Sequence, residues 1–262
     1  MLKKLQFNLK YIIKIISNII FPVQCALCKK DGKYLCELCE NTLFKINKHN
    51  SKNGTNQNAS ILSKDNTIGV NIKNKSIDIN NKSFAIYNYQ DIKVKNILFK
   101  IKYNHHPKLG EAMGEYSRGF IQTNILNNFP EDTLNINSAA EGGAGENMKC
   151  IFVPIPISKS RLKERGYNQT YYISTGIDKE NTFEILKRDK STAKLKDSDS
   201  VDKRLSEIEN SMSVIQNNFD KNIKIILVDD VTTTGATFYE ARRALISYGF
   251  LKENICSFAL AH

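Results

Sequence analysis

Ile223-Lys-Ile-Ile-Leu-Val-Asp-Asp-Val-Thr-Thr-Thr-Gly-Ala-Thr237 decides the fold. The run Ile225 to Val228 is short, apolar and without alternation, which reads as a strand buried on both faces. Asp229 and Asp230 follow it, and then a turn of Thr232, Thr233, Thr234 and Gly235. From Ala236 and Thr237 onward, Phe238, Ala241, Leu245 and Ile246 recur at helical spacing, predicting a helix over 236–248. The order is therefore strand, acidic pair, hydroxyl-rich turn, helix.

That order carries chemistry. A turn opening a helix aims N–H groups and the positive end of the helix dipole at one spot, which suits a phosphate. The threonine hydroxyls add donors, and Gly235 removes the Cβ that would block close approach. Carboxylates just before that spot accept hydrogen bonds from sugar hydroxyls. The two halves together describe a ribose bearing a 5′-phosphate. Neither of the other short phosphate-binding patterns, GxxxxGK[ST] or GxGxxG, occurs in the chain. The string VDDVTTTGAT resembles the phosphoribosyl diphosphate (PRPP) loop of type I phosphoribosyltransferases.

Working outward, Lys149 to Pro156 reads as a strand ended by its prolines, and 182–188 and 255–260 as further strands. With Ser83 to Tyr89 also strand-like, the alternation of strands and helices predicts an α/β domain with a doubly wound parallel sheet over residues 84–262. Helices are expected over 91–103, with Val94, Ile97, Leu98 and Ile101 on the apolar side, and over 108–128. Residues 45–83 form a polar insert rich in Asn, Ser and Lys, and 130–148 a second, Gly-containing one.

Lys159, Arg161, Lys163 and Arg165 alternate with other residues and cannot share one helix face. They are expected to lie in a loop that rings an anion, with a charged helix start as the alternative. The string VPIPISKSRLKERGYNQT resembles the second motif of the ComF family, a bacterial group joining a four-cysteine module to a phosphoribosyltransferase-like domain. Lys102 and Tyr103, at the end of DIKVKNILFKIKY, match a Lys-Tyr pair of the same family. The resemblance implies that Arg165, Gly166, Asn168, Gln169, Arg161, Lys163 and Lys102 join Asp229, Asp230 and the turn 232–237 in binding PRPP. It also implies Mg2+ on the diphosphate, with Asp229, Asp230 and Arg165 the catalytic candidates if the domain transfers the phosphoribosyl group to a nitrogen acceptor. Arg188 and Thr192 match the family's lid stretch, with Arg204 and Asn210 as further matches. The glutamine of that stretch has no counterpart, Lys194 and Leu195 standing in its region. In purine-salvage relatives an Asp inside the loop lies near the acceptor base, and Thr233 occupies that position.

Toward the N-terminus, Cys25-Ala-Leu-Cys28 and Cys36-Glu-Leu-Cys39 form two C-x-x-C knuckles within a module at 22–44. Four thiolates suit a closed, structural zinc site. The arm between the pairs is shorter than the usual 15–20 residues, with Gly32 placed for its turn. Cys150 and Cys256 stand alone in apolar runs and read as buried thiols, which favours a reducing compartment.

Residues 2–20 place Leu2, Leu5, Leu9, Ile12, Ile13, Ile16 and Ile20 at helical spacing, and the first 30 residues carry six lysines and no acid. Such a helix, over 1–21, fits docking on its own domain, on a partner or on a membrane surface. No apolar run reaches membrane-spanning length, and no small-residue cleavage site follows the first apolar stretch. A cytoplasmic protein, peripheral to a membrane if the helix binds one, is the expectation. The net charge of +11 suits phosphate-rich ligands, nucleic acid or acidic membrane without choosing among them.

ComF relatives are associated with natural competence, so the resemblance implies a second reading. In it the chain is an accessory protein of DNA uptake that binds single-stranded DNA or a helicase partner, with Tyr167, Tyr171 and Tyr172 as the aromatic cluster among basic residues. The two readings are compatible.

Overall fold

The computed structural model describes residues 22–49, 60–61, 83–126, 150–188 and 210–262. The N-terminal stripe, most of both inserts and Thr192, Lys194, Leu195 and Arg204 lie outside the described residues. Helix α1 spans Glu37–His49, and a two-residue strand β1, Ser60–Ile61, follows it. Next come β2 (Ser83–Tyr87), α2 (Ile92–Tyr103) and α3 (Pro107–Asn124). Then follow β3 (Cys150–Pro154), α4 (Lys159–Arg165) and α5 (Gln169–Ile177). A short pair of strands, β4 (Leu186–Arg188) and β5 (Met212–Val214), leads to β6 (Lys224–Val231), α6 (Ala236–Ser247) and β7 (Ile255–Ala261).

The main sheet runs in the order β1-β2-β7-β6-β3. Strands β2, β7, β6 and β3 are parallel, and β1 adds an antiparallel edge. Strand β6 lies between its two parallel neighbours, with Val228 opposite Phe258 of β7 and Pro154 of β3. Its alternate side chains feed two cores. Ile226 and Val228 join Phe152, Phe258 and Leu260 against α2, α3 and α5. Ile225 and Leu227 join Ile151, Val153 and Ala259 against Phe238, Ala241 and Leu245 of α6. Helices thus cover both faces, which is why β6 and β7 read as continuous apolar runs.

Three expectations are corrected. The apolar strand does not stop at Val228: β6 continues through Asp229 and Asp230 to Val231, so the acids are strand residues. The segment 182–188 is not a strand of the parallel sheet. Thr182 makes one parallel bridge to Phe152, and the chain then turns away so that Leu186 pairs antiparallel with Val214. Its physical reason is visible in the burial, because Leu186 is buried and Lys187 exposed, the alternation of a hairpin with one wet face. Finally, 159–165 is a helix rather than a loop. The Ser158 hydroxyl accepts the Arg161 N–H at its start, and Gly166, at φ 79°, ends it.

Helices α3 and α5 cross at glycines. A Cβ on Gly114 would meet the Ile173 carbonyl oxygen at 2.1 Å, and one on Gly176 the Glu111 carbonyl oxygen at 2.0 Å. The cysteine module is continuous with the domain. Cys25, Ala26, Leu35 and Leu43 are buried in the same cluster as Ile97, Ile101 and Met113.

Candidate functional site

At the carboxyl end of β6 lies a cavity of about 180 Å3. Asp229 and Asp230 form one side of it. Arg161, Arg165 and Gln169 from α4 and the start of α5 form another, with Arg188, Lys102 and Thr237 completing it. Alternation within a helix becomes useful here. Arg161 and Arg165 are four residues apart and so share a face, which fronts the cavity, whereas Lys159 and Lys163 are exposed and lie off it.

The two acids differ sharply. Burial pushes the Asp230 carboxyl up, but the Lys102 ammonium at 2.8 Å outweighs burial and holds the group below the usual carboxylate range. Reciprocally, burial lowers the Lys102 ammonium, and Asp230 outweighs that effect to raise it. Among the described residues no cation forms an ion pair with Asp229, and Lys102 lowers it only weakly. Burial first and then the Asp230 charge raise it well above the ordinary value. Its carboxylate accepts the backbone N–H of Asp230 at 2.8 Å. Adjacent titratable groups pushed in opposite directions mark a functional site more often than a structural one.

A testable asymmetry follows. Asp229 binds its proton more tightly in the folded than in the unfolded chain, so its ionisation erodes stability as pH rises through the folded-state value. Asp229→Asn keeps the acceptor oxygen and removes that loss. The variant is expected to be more stable than wild type by about 1 kcal/mol near neutral pH, the gap closing toward pH ~4. Denaturant unfolding at several pH values measures it; a variant less stable at every pH would contradict the assignment.

Arg165 is buried. One terminal nitrogen donates to Gln169 Oε1 at 2.9 Å, its guanidinium lies 5.2 Å from the centre of the Tyr103 ring, and its Nε has no partner among the described residues. Arg188 likewise has a buried Nε without a partner among the described residues, and burial lowers its pKa. Gln169 Nε2 reaches Asp230 at 3.5 Å. A buried and a half-buried guanidinium group with donors to spare suit an anion with several oxygens.

The remaining sequence candidates hold the frame. Asn168 caps α5 through the Thr170 N–H and donates from Nδ2 to the Ile155 carbonyl. Gly166 terminates α4. In the turn, the Thr232 N–H donates to the Ala261 carbonyl, and the Thr232 carbonyl lies 3.1 Å from His262 Nδ1. Thr234 Oγ1 accepts the Ala236 N–H, and Gly235 takes φ 73°. Thr233 is exposed. Thus Lys102, Arg161, Arg165, Gln169, Asp229, Asp230 and Thr237 meet at the cavity, whereas Lys163, Gly166, Asn168, Thr232, Thr233, Thr234, Gly235 and Ala236 are not among its lining residues. Sequence reasoning did not count Arg188 as a ligand-binding residue or see the His262 contact. Arg188 was marked only by its match to the family's lid stretch.

The four cysteines converge. The Sγ atoms of Cys25, Cys28, Cys36 and Cys39 lie within 4.8 Å of one another, and those of Cys28 and Cys36 are 3.6 Å apart. Tetrahedral zinc with bonds of about 2.3 Å sets sulfurs roughly 3.8 Å apart, so the donor set fits that ion. Burial raises the Cys25 thiol, but N–H groups from the knuckles bring it down to about 6, whereas burial and its sulfur neighbours push Cys39 up to about 12. The cluster could hold a zinc ion.

No family model matches the chain. Over 101 residues it is 35% identical to competence protein ComFC of Bacillus subtilis, a match covering 38% of this chain and 39% of that protein. Over 103 residues it is 34% identical to competence protein F of Haemophilus influenzae, covering 37% and 44% respectively. Over these stretches the chain is similar to competence proteins of the ComF type. The matches span well under half the length of these ComF proteins. Among the described residues, no helix is long and apolar enough to cross a membrane.

Proposed function

We propose that the cavity binds PRPP or a related ribose 5-phosphate ligand, with Mg2+ accompanying the diphosphate. One observation carries the reading. Two adjacent carboxylates at the end of β6 share a small cavity with four cationic side chains, Lys102, Arg161, Arg165 and Arg188. The cationic excess suits a multiply charged anion, and the acids suit sugar hydroxyls.

In this reading Asp229 and Asp230 accept from the ribose 2′- and 3′-hydroxyls, while the start of α6 and Thr237 meet the 5′-phosphate. Arg161, Arg165 and Arg188 meet the diphosphate, where Mg2+ would neutralise further charge. If the ligand reacts, the acceptor nitrogen bonds to C1 as the C1–O bond to pyrophosphate breaks, and the nitrogen releases its proton. The three guanidinium groups, that of Arg165 buried, stabilise the charge that develops on the leaving group. Thr233 supplies no base at the acceptor. The four cysteines hold structural zinc and take no part in that step.

Calorimetric titration with PRPP and Mg2+ tests the reading. We expect saturable heat from the wild type and at least a tenfold weaker affinity for Arg165→Met, since one charged hydrogen bond is worth about 1.5–3 kcal/mol. No heat at millimolar ligand would overturn it. The competence names of the relatives favour a second reading, binding of single-stranded DNA in uptake. Its aromatic candidates are already engaged: Tyr167 and Tyr172 pack edge to face, as do Tyr171 and Tyr172, and the Tyr167 hydroxyl donates to the Ile101 carbonyl. Bases need open ring faces to stack on.

A further inference from the structure

The last turn of α2 makes four different attachments with four consecutive residues. The Lys100 ammonium donates to the Ala26 carbonyl, inside the first cysteine knuckle. The Ile101 carbonyl accepts the Tyr167 hydroxyl, from the connection between α4 and α5. Lys102 pairs with Asp230 at 2.8 Å. The Tyr103 ring lies under the Arg165 guanidinium. One turn of helix therefore touches the cysteine module and both sides of the cavity.

The module end is braced twice more. Ala26 and Leu35 are packed in the same buried cluster as Ile97, Leu98 and Ile101 of α2. The Tyr116 hydroxyl of α3 donates to the Leu35 carbonyl at 2.7 Å. The Ala26 carbonyl lies between Cys25 and Cys28, so its position depends on how those two thiolates are held. Metal binding couples to the folding of the segment that carries its ligands.

We propose that this turn couples the cysteine cluster to the cavity: metal in the cluster fixes the Ala26 carbonyl, which seats Lys100, and the seated turn holds Lys102 on Asp230 and Tyr103 under Arg165. Lys100 is a positioning residue in this scheme. The consequence for ligand binding rests on the cavity reading above, whereas the coupling to Lys102 does not. Linkage is reciprocal, so a cavity ligand that binds the seated turn must also raise the cluster's affinity for the metal.

The experiment uses the full chain, zinc-loaded and chelated, with amine acylation read by mass spectrometry at single lysines. Lys221, which lies over the Tyr248 and Phe250 rings, serves as the control. Chelation is expected to speed labelling of Lys102 about tenfold, within the usual range of site-to-site coupling, to leave Lys221 unchanged, and to be reversed by restoring zinc. Unchanged labelling of Lys102 after zinc is lost would overturn the proposal. If both lysines speed up together, the chelated chain has unfolded, and zinc-loaded Lys100→Met decides. Faster labelling of Lys102 in that variant, with wild-type labelling in Lys100→Arg, supports the coupling; wild-type labelling in Lys100→Met overturns it. In a parallel arm, PRPP with Mg2+ should lower the share of zinc that a competing chelator holds at equilibrium in wild type but not in Lys100→Met. Absence of PRPP binding in every form would count against the cavity reading alone, because lysine labelling still judges the coupling.

Discussion

Gly114→Ala and Gly176→Ala should each cost about 3 kcal/mol or more, a large share of the stability of a domain this size. In most helices the same change is favourable, because alanine is the better helix former by about 1 kcal/mol. Here the added methyl has no room. On Gly114 it would sit 2.1 Å from the Ile173 carbonyl oxygen and 2.9 Å from the Gly176 backbone; on Gly176 it would sit 2.0 Å from the Glu111 carbonyl oxygen. These obstacles are main-chain atoms, so no side-chain rotation relieves them. Helices α3 and α5 would have to part, and α5 begins with Gln169, at the cavity. Gly119 provides the contrast on the same helix, since a Cβ there meets nothing within 4 Å. Gly119→Ala should be neutral or stabilising. Denaturant midpoints of the three variants check the ordering; equal effects would show that the close crossing is not what holds α3 and α5 together.

Lys102→Met should be nearly as costly, and in a pH-dependent way. In the wild type Asp230 titrates below its unfolded value because of Lys102, so the pair contributes stability above that unfolded value and loses it as acid is added. Without Lys102, two buried carboxylates face each other with no cation in contact. At least one must then hold a proton in the folded chain, so its folded-state pKa exceeds the unfolded one and stability falls as pH rises. The gap between wild type and variant should therefore widen from pH ~4 to pH ~8, reaching about 3 kcal/mol, as expected when one partner of a buried pair is removed. Adding Asp230→Asn should recover most of that loss, and the double-mutant cycle isolates the pair. A gap independent of pH would show that Lys102 acts through packing alone.

Much of this was legible because β6 and α6 satisfy every local rule at once. An unbroken apolar run, a left-handed Gly235 and an amphipathic helix leave few alternatives. The failures have equally local causes. Residues 159–165 carry no apolar face, and Leu162 is 46% exposed, so periodicity gave no helix signal. Only the punctuation by Ser158 and Gly166 could have revealed it. The 182–188 segment was read by its apolar content, whereas its alternation after Ile185 marks a hairpin. Convergence was harder still. That Lys102, Arg188 and Asp230 meet is a property of the sheet order, and no spacing along the chain encodes it. The cysteine spacing did announce a metal-sized cluster, because two C-x-x-C knuckles constrain their sulfurs locally.

The alternating burial of β6 limits how this protein can evolve. Ile225, Ile226, Leu227 and Val228 can exchange among branched aliphatic residues at modest cost, since each merely fills one of two cores. Inserting or deleting one residue among them is another matter. A single-step slip would turn each side chain toward the opposite layer and present Lys102 with the wrong carboxylate. Lineages descending from this sequence can be expected to vary in the spelling of this strand while keeping its length.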